Sequence, residues 1–69
     1  MKYRLKTMVK LGRLVNQQLF FERVPIFLIF DFPEEPNQDQ AFNAISHFYS
    51  CQGRTVKGQE WIDIQPVKA

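Results

Sequence analysis

Residues 2–11 alternate between basic and mainly apolar side chains, and this period of two constrains the fold more than any other feature of the chain. Such alternation is typical of a β-strand that packs one face on a core and leaves the other in solvent. One face would carry Tyr3, Leu5, Thr7, Val9 and Leu11, and the other Lys2, Arg4, Lys6, Met8 and Lys10. The chain is therefore predicted to begin with a half-buried strand whose outer side is basic.

The segment after this strand has two interpretations. Gly12 would permit a turn or a bulge, and residues 14–24 fit either a short helix or a strand that returns as a hairpin. We favour the hairpin, because Leu19 to Phe21 suits a strand. Pro25 cannot donate to a central ladder, so it is expected at a bulge or on an edge strand. Ile26 to Phe32 follows as a strand with apolar residues on both of its faces.

A helix is predicted after the two prolines that end this strand. Asn37 or Asp39 is well placed to cap it, and Gly53 would supply a left-handed residue at its end. The apolar positions fall on one side of the helix: Ala41, Phe42, Ala44, Ile45, Phe48, Tyr49 and Cys51. A closing strand is then expected over residues 60–65, with Ile62 and Ile64 on one face and Trp61 on the other.

These elements predict an α+β fold with the order β-β-α-β, in which one α-helix packs on one face of a small antiparallel sheet of three or four strands. We expect one domain over residues 1–69. A single helix covers only one face of the sheet, yet Phe27 and Ile29 point opposite to Ile26 and Leu28. The uncovered face is the candidate interface. A helix over residues 14–24 would instead turn that face into core.

The chain length predicts a thin core. A domain of 69 residues buries a smaller share of its surface than a larger one, and a single cysteine cannot form an intramolecular disulfide. We therefore expect a homodimer or a tightly bound partner. The lone cysteine favours a reducing compartment, and neither a signal peptide nor a membrane span is evident, so we expect a cytoplasmic protein.

Few residues carry recognisable chemistry. His47 and Cys51 have helical i, i+4 spacing, which a zinc ion shared between subunits or a nucleophile with its base could use. We instead interpret Cys51 as a small buried hydrophobic residue and His47 as a solvated one. The glycines match no phosphate-binding loop. We expect no enzyme activity, no cofactor, no metal and no small-molecule substrate.

Charge is distributed unevenly along the chain. Five of the nine lysines and arginines lie within the first thirteen residues, namely Lys2, Arg4, Lys6, Lys10 and Arg13. This basic strand has three interpretations: an edge strand whose lysines prevent aggregation, a nucleic-acid contact, or a site for an acidic protein. The acidic residues Asp31, Glu34, Glu35 and Asp39 form a loop that we interpret as solvated, and it is also a possible docking point.

Aromatic residues are abundant, with seven Phe, two Tyr and one Trp. The candidates for a partner or dimer interface are Phe20, Phe21, Phe27, Ile29 and Trp61. We therefore expect a non-enzymatic protein-binding domain that inhibits or regulates a larger macromolecular complex. By analogy of build alone, small inhibitors from phages and mobile elements, including anti-CRISPR and other anti-defence proteins, are comparable. The alternative is a nucleic-acid-binding regulator that uses the basic strand.

Overall fold

A long β-hairpin frames the molecule. The structure is a computed structural model that describes residues 1–58 and 60–68. Strand β1 spans Lys2–Val15 and strand β2 spans Gln18–Asp31, and each has 14 residues. Their antiparallel register runs without a break from Lys2 opposite Asp31 to Val15 opposite Gln18. The preferred hairpin interpretation of residues 14–24 is confirmed, and the alternative of a second helix is wrong.

The hairpin turns at Asn16 and Gln17. Their φ angles of 49° and 65° are both positive, as a two-residue type I′ turn requires. The predicted turn or bulge at Gly12 is wrong, because Gly12 lies within β1 and its N–H donates to the Thr55 carbonyl at 2.7 Å. A Cβ atom at Gly12 would lie 3.3 Å from a side-chain atom of Leu19. Glycine therefore serves close packing here.

Two short strands pair with the other side of β1. Strand β3 spans Val56–Lys57 and strand β4 spans Asp63–Pro66, and both are antiparallel to β1. β1 is therefore central and β2 is an edge strand of a four-stranded sheet. Pro25 lies in this edge strand opposite Met8 without a bulge, where a missing N–H is tolerated. The closing strand begins at Asp63, three residues later than predicted.

The helix α1 spans Gln38–Ser50 and has well-formed ends. Asn37 is the N-cap and forms a capping box with Gln40: its side chain accepts from the Gln40 N–H at 2.8 Å, and the Gln40 side chain accepts from the Asn37 N–H at 3.0 Å. At the other end, Gly53 has a φ of +75°, and the Arg54 N–H donates to the Tyr49 carbonyl at 2.9 Å. The predicted cap and stop are confirmed.

The core lies between α1 and one face of the sheet, which we call the inner face. Leu5, Ala41 and Ile45 have no exposed surface. The buried cluster consists of Leu5, Val9, Ile26, Ala41, Ile45 and Ile62. The predicted α+β class, with a small antiparallel sheet and one helix in the order β-β-α-β, is confirmed. The opposite, uncovered side of the sheet is the outer face.

Candidate docking face

The outer face carries two parallel rows of side chains. On β1 the row is basic, and we call it the basic stripe: Lys2, Arg4, Lys6 and Lys10. On β2 the row is mainly apolar, and we call it the apolar stripe: Leu19, Phe21, Pro25, Phe27 and Ile29. Directly opposed residues of an antiparallel pair point to the same side, so Arg4 lies beside Ile29 and Lys6 beside Phe27. The register thus places a cation next to each of Phe27 and Ile29.

The basic stripe lies in the middle of the sheet. The interpretation of these lysines as protection for an edge strand is therefore wrong, because β1 is paired on both sides. The structure shows ion pairs between the Met1 amine and Asp31, between Arg23 and Glu60, and between Arg54 and Glu22. Within residues 1–58 and 60–68, none of these pairs includes a residue of the basic stripe. Its cations are free to meet an anionic group from outside.

Arg4 is held in place by its aromatic neighbour. Its guanidinium carbon lies 5.6 Å from the centroid of the Phe27 ring, within the range of a cation–π contact. Its Nε atom is buried and has no hydrogen-bond partner among the described residues. A buried donor without an acceptor is costly, so a ligand oxygen that binds this guanidinium would meet a group whose Nε is already removed from water.

The apolar stripe is exposed where it meets these cations. Phe27 is 60% exposed and Ile29 is 52% exposed. Phe21 is half-buried, and the Lys57 ammonium lies 4.5 Å from its ring centroid. Lys57 was not predicted as a site residue, since only the pairing of β3 with β1 brings it to Phe21.

Trp61 borders the same face beside β1. It is 79% exposed, the highest value among the large hydrophobic side chains described. The hydroxyl of Thr7 donates to the Trp61 carbonyl at 3.0 Å, and the next residue, Ile62, is buried. This alternation confirms the predicted phase of Trp61. An open cleft of about 450 Å³ lies between Trp61 and the hairpin, lined by Lys6, Met8, Pro25, Phe27, Glu60 and Asp63 among others.

An ion pair fixes the loop that carries Trp61. Arg23 on β2 donates to both carboxylate oxygens of Glu60, with nitrogen–oxygen distances between 2.9 and 3.2 Å. These hydrogen bonds and the charge of Glu60 raise the pKa of Arg23 above its ordinary value. The contact joins residues 37 positions apart, so no local pattern in the sequence indicated it.

The hairpin tip extends beyond the helix. Phe20 and Arg13 face each other there on the inner side, and both are exposed. The structure therefore separates Phe20 from the other predicted aromatic residues and Arg13 from the basic stripe. A strand reverses side-chain direction at every residue, and Arg13 has the opposite parity to Lys10.

The four residues of the acidic loop are exposed. The carboxylate of Asp31 binds the Met1 amine at 3.0 Å. Glu34, Glu35 and Asp39 are exposed, and Asp39 lies in the first turn of α1, where a negative charge is favourable.

The helix carries His47 and Cys51 in contact, with 3.7 Å between Nε2 and Sγ. The interpretation of Cys51 as a buried hydrophobic residue is wrong, because it lies exposed at the helix C-cap, past the last apolar turn. Across the described ranges 1–58 and 60–68, no three His, Cys, Asp or Glu side chains are grouped to hold a metal ion. The same ranges contain no helix of the length and apolarity needed to cross a membrane. Comparisons with protein family models, curated proteins and solved structures give no match to this chain.

Proposed function

We propose that this chain is a non-enzymatic protein-binding domain that inhibits or regulates a larger cytoplasmic complex by docking on it through the outer face. One observation carries the proposal: exposed Phe27, Ile29 and Trp61 lie on the outer face next to cations of the basic stripe.

The composition of this face suits a protein contact. Aromatic residues and arginine are enriched at interface cores, and a few such residues supply most of the binding energy. Phe27 and Trp61 can lose their exposed surface on docking, and Arg4 is already ordered on Phe27. Ordering groups before binding lowers the entropy cost of association.

A nucleic-acid-binding regulator is the second candidate, and the position of β1 favours it. Lys2, Arg4 and Lys6 are spaced by about 6.6 Å on one side of β1, and they lie on an open sheet face beside aromatic rings. Such platforms can stack bases and bind phosphates. The two candidates differ in salt response, because phosphate binding weakens steeply as salt concentration rises.

We also propose that the chain forms a homodimer. The outer edge of β2 has no strand paired to it within the described residues. Light scattering on the purified chain tests the dimer: a mass of one chain at micromolar concentration would refute it.

Two phenylalanines of one strand provide the test of the docking face. Phe27 is 60% exposed on the outer face and Phe20 is 52% exposed on the inner side. Tagged wild-type, Phe27→Ser and Phe20→Ser chains are used to capture proteins from the native host at low and physiological salt. We expect a protein that the wild type and Phe20→Ser retain and Phe27→Ser loses. Equal retention by both variants would exclude the outer face, and recovery of nucleic acid alone would favour the second candidate.

A further inference from the structure

The two stripes have the dimensions of a long, narrow site. At about 3.4 Å per residue, the apolar stripe from Leu19 to Ile29 is about 34 Å long, and the basic stripe from Lys2 to Lys10 is about 27 Å long. They are one interstrand spacing apart, or about 4.8 Å, and run side by side over about 20 Å, from the Arg4–Ile29 pair to the Lys10–Arg23 pair. A complementary partner element would be elongated and would carry one apolar and one acidic row.

An α-helix meets both requirements. Its diameter of about 10 Å covers two adjacent strands, and about 20 residues reach 30 Å. A helix can also carry an apolar row next to a charged one along its whole length. The inner face of this sheet is already covered by a helix, so a second one would complete a three-layer arrangement.

We propose that the outer face receives an acidic amphipathic α-helix of the partner protein, about 20 residues long. The helix packs its apolar row on Phe27 and Ile29 and presents its carboxylates to Arg4 and Lys6. A bulky apolar side chain of the helix enters the cleft beside Trp61. This inference rests on the proposed docking function and names the chemistry of the partner.

Charge complementarity determines the sign of the charge that the partner helix carries. The four cations of the basic stripe have no ion-pair partner within the described residues. The Arg4 guanidinium lies beside Phe27 with its Nε atom buried and unpaired among the described residues, and a carboxylate suits such a group. A basic helix would place like charges opposite this row, and like charges in juxtaposition disfavour binding.

Carboxylates on the same face favour a protein over a nucleic acid. Asp63 on β4 is opposite Lys6, and Glu60 lines the cleft at Trp61. A phosphate backbone laid along the basic stripe would meet these negative charges at its middle. A helix can place an apolar or neutral side chain there, because its surface residues vary independently.

Designed peptides provide the test. The acidic probe is a 20-residue amphipathic helix with leucines at i, i+3, i+4 and i+7 spacing and glutamates beside them. The first control replaces every glutamate by lysine, and the second scrambles the acidic sequence so that the apolar row is lost. A single-stranded 20-nucleotide DNA is the fourth probe. Fluorescence anisotropy gives the dissociation constant of each with the intact chain.

We expect the acidic amphipathic peptide to bind at least tenfold more tightly than each of the other three probes. The Lys6→Glu variant should lose at least fivefold for the acidic peptide and gain for the lysine peptide. As a matched charge control, the Asn43→Glu/Gln52→Glu double variant adds the same −2 at exposed positions on and just after the helix and should bind as the wild type does. Thermal unfolding establishes that each variant is folded.

Three outcomes would overturn the inference: equal binding of the scrambled peptide, equal binding of the lysine peptide, or tighter binding of the DNA. The capture of proteins from the native host distinguishes a failure of this inference from a failure of the proposed docking function. If Phe27→Ser still abolishes capture while the acidic peptide does not bind, the face docks a partner of other chemistry. If Phe27→Ser leaves capture unchanged, the docking function itself is wrong.

Discussion

The two faces of the same hairpin differ in burial. Leu5 and Lys6 are neighbours on β1, yet Leu5 has no exposed surface and Lys6 is exposed. On β2, buried Ile26 is followed by Phe27, which is 60% exposed although it is larger and apolar. The position of the single helix decides burial here, not the hydrophobicity of the residue.

This contrast separates residues that stabilise the fold from residues available for binding. An apolar side chain on the inner face contributes to folding by leaving water. An apolar side chain on the outer face stays in water after folding and contributes little to the free energy of folding. Its burial can therefore contribute to the free energy of association. Substitutions on either side of the sheet test this separation.

The largest effect is expected for Leu5→Ala. Leu5 is fully buried against the helix, and truncation of a buried leucine costs about 2–5 kcal/mol of unfolding free energy. Its neighbour Lys6 is an exposed surface residue, so Lys6→Ala should change stability by no more than about 0.5 kcal/mol. Urea unfolding monitored by circular dichroism measures both. Similar losses in the two variants would show that the outer face is also a folding interface.

A smaller loss is expected for Gln38→Ala. The Gln38 amide donates to the Ile62 carbonyl at 2.8 Å and accepts from the Ile62 N–H at 2.9 Å, as a paired strand would. Removing both bonds at this partly buried site should cost about 1–3 kcal/mol. Gln52→Ala, at an exposed position just after the helix, is the control and should be neutral. Because Ile62 sets the phase of Trp61, the tryptophan emission should change in Gln38→Ala alone.

The period of two made the inner and outer faces predictable from the sequence. It placed the basic stripe, Phe27 and Ile29 on one side of the sheet, and Asn37 and Gly53 marked the helix ends. The order of the strands in the sheet was harder to predict from the sequence, because it depends on which strand β3 and β4 pair with. The edge interpretation of the basic strand failed for that reason. The Arg23–Glu60 pair was missed because its partners are joined only by the folded chain.

The hairpin tip is a third region, where neither face is covered, and local backbone geometry dominates there. Gln17 has a φ of 65°, which a residue with a Cβ atom adopts at a cost. Gln17→Gly relieves this strain but increases the conformational entropy of the unfolded chain, which opposes folding. The expected net effect is a stabilisation of about 0.5 kcal/mol. Gln18→Gly, within β2, should destabilise by about 0.5–1 kcal/mol. A loss of stability in both variants would argue against the type I′ turn.

The smallest effect on stability is expected at the most exposed large hydrophobic side chain among the described residues. Trp61 is 79% exposed, and its main-chain carbonyl, not its ring, accepts the hydrogen bond from Thr7. Trp61→Ala therefore keeps that bond and should change the unfolding free energy by about 0.5 kcal/mol or less. Capture of the partner from the host should nevertheless fall sharply, since truncation of a buried interface tryptophan is among the costliest. A stability loss above about 2 kcal/mol would instead identify Trp61 as part of a second core. The outer face would then support folding as the inner face does, and the separation of folding from binding in this hairpin would not hold.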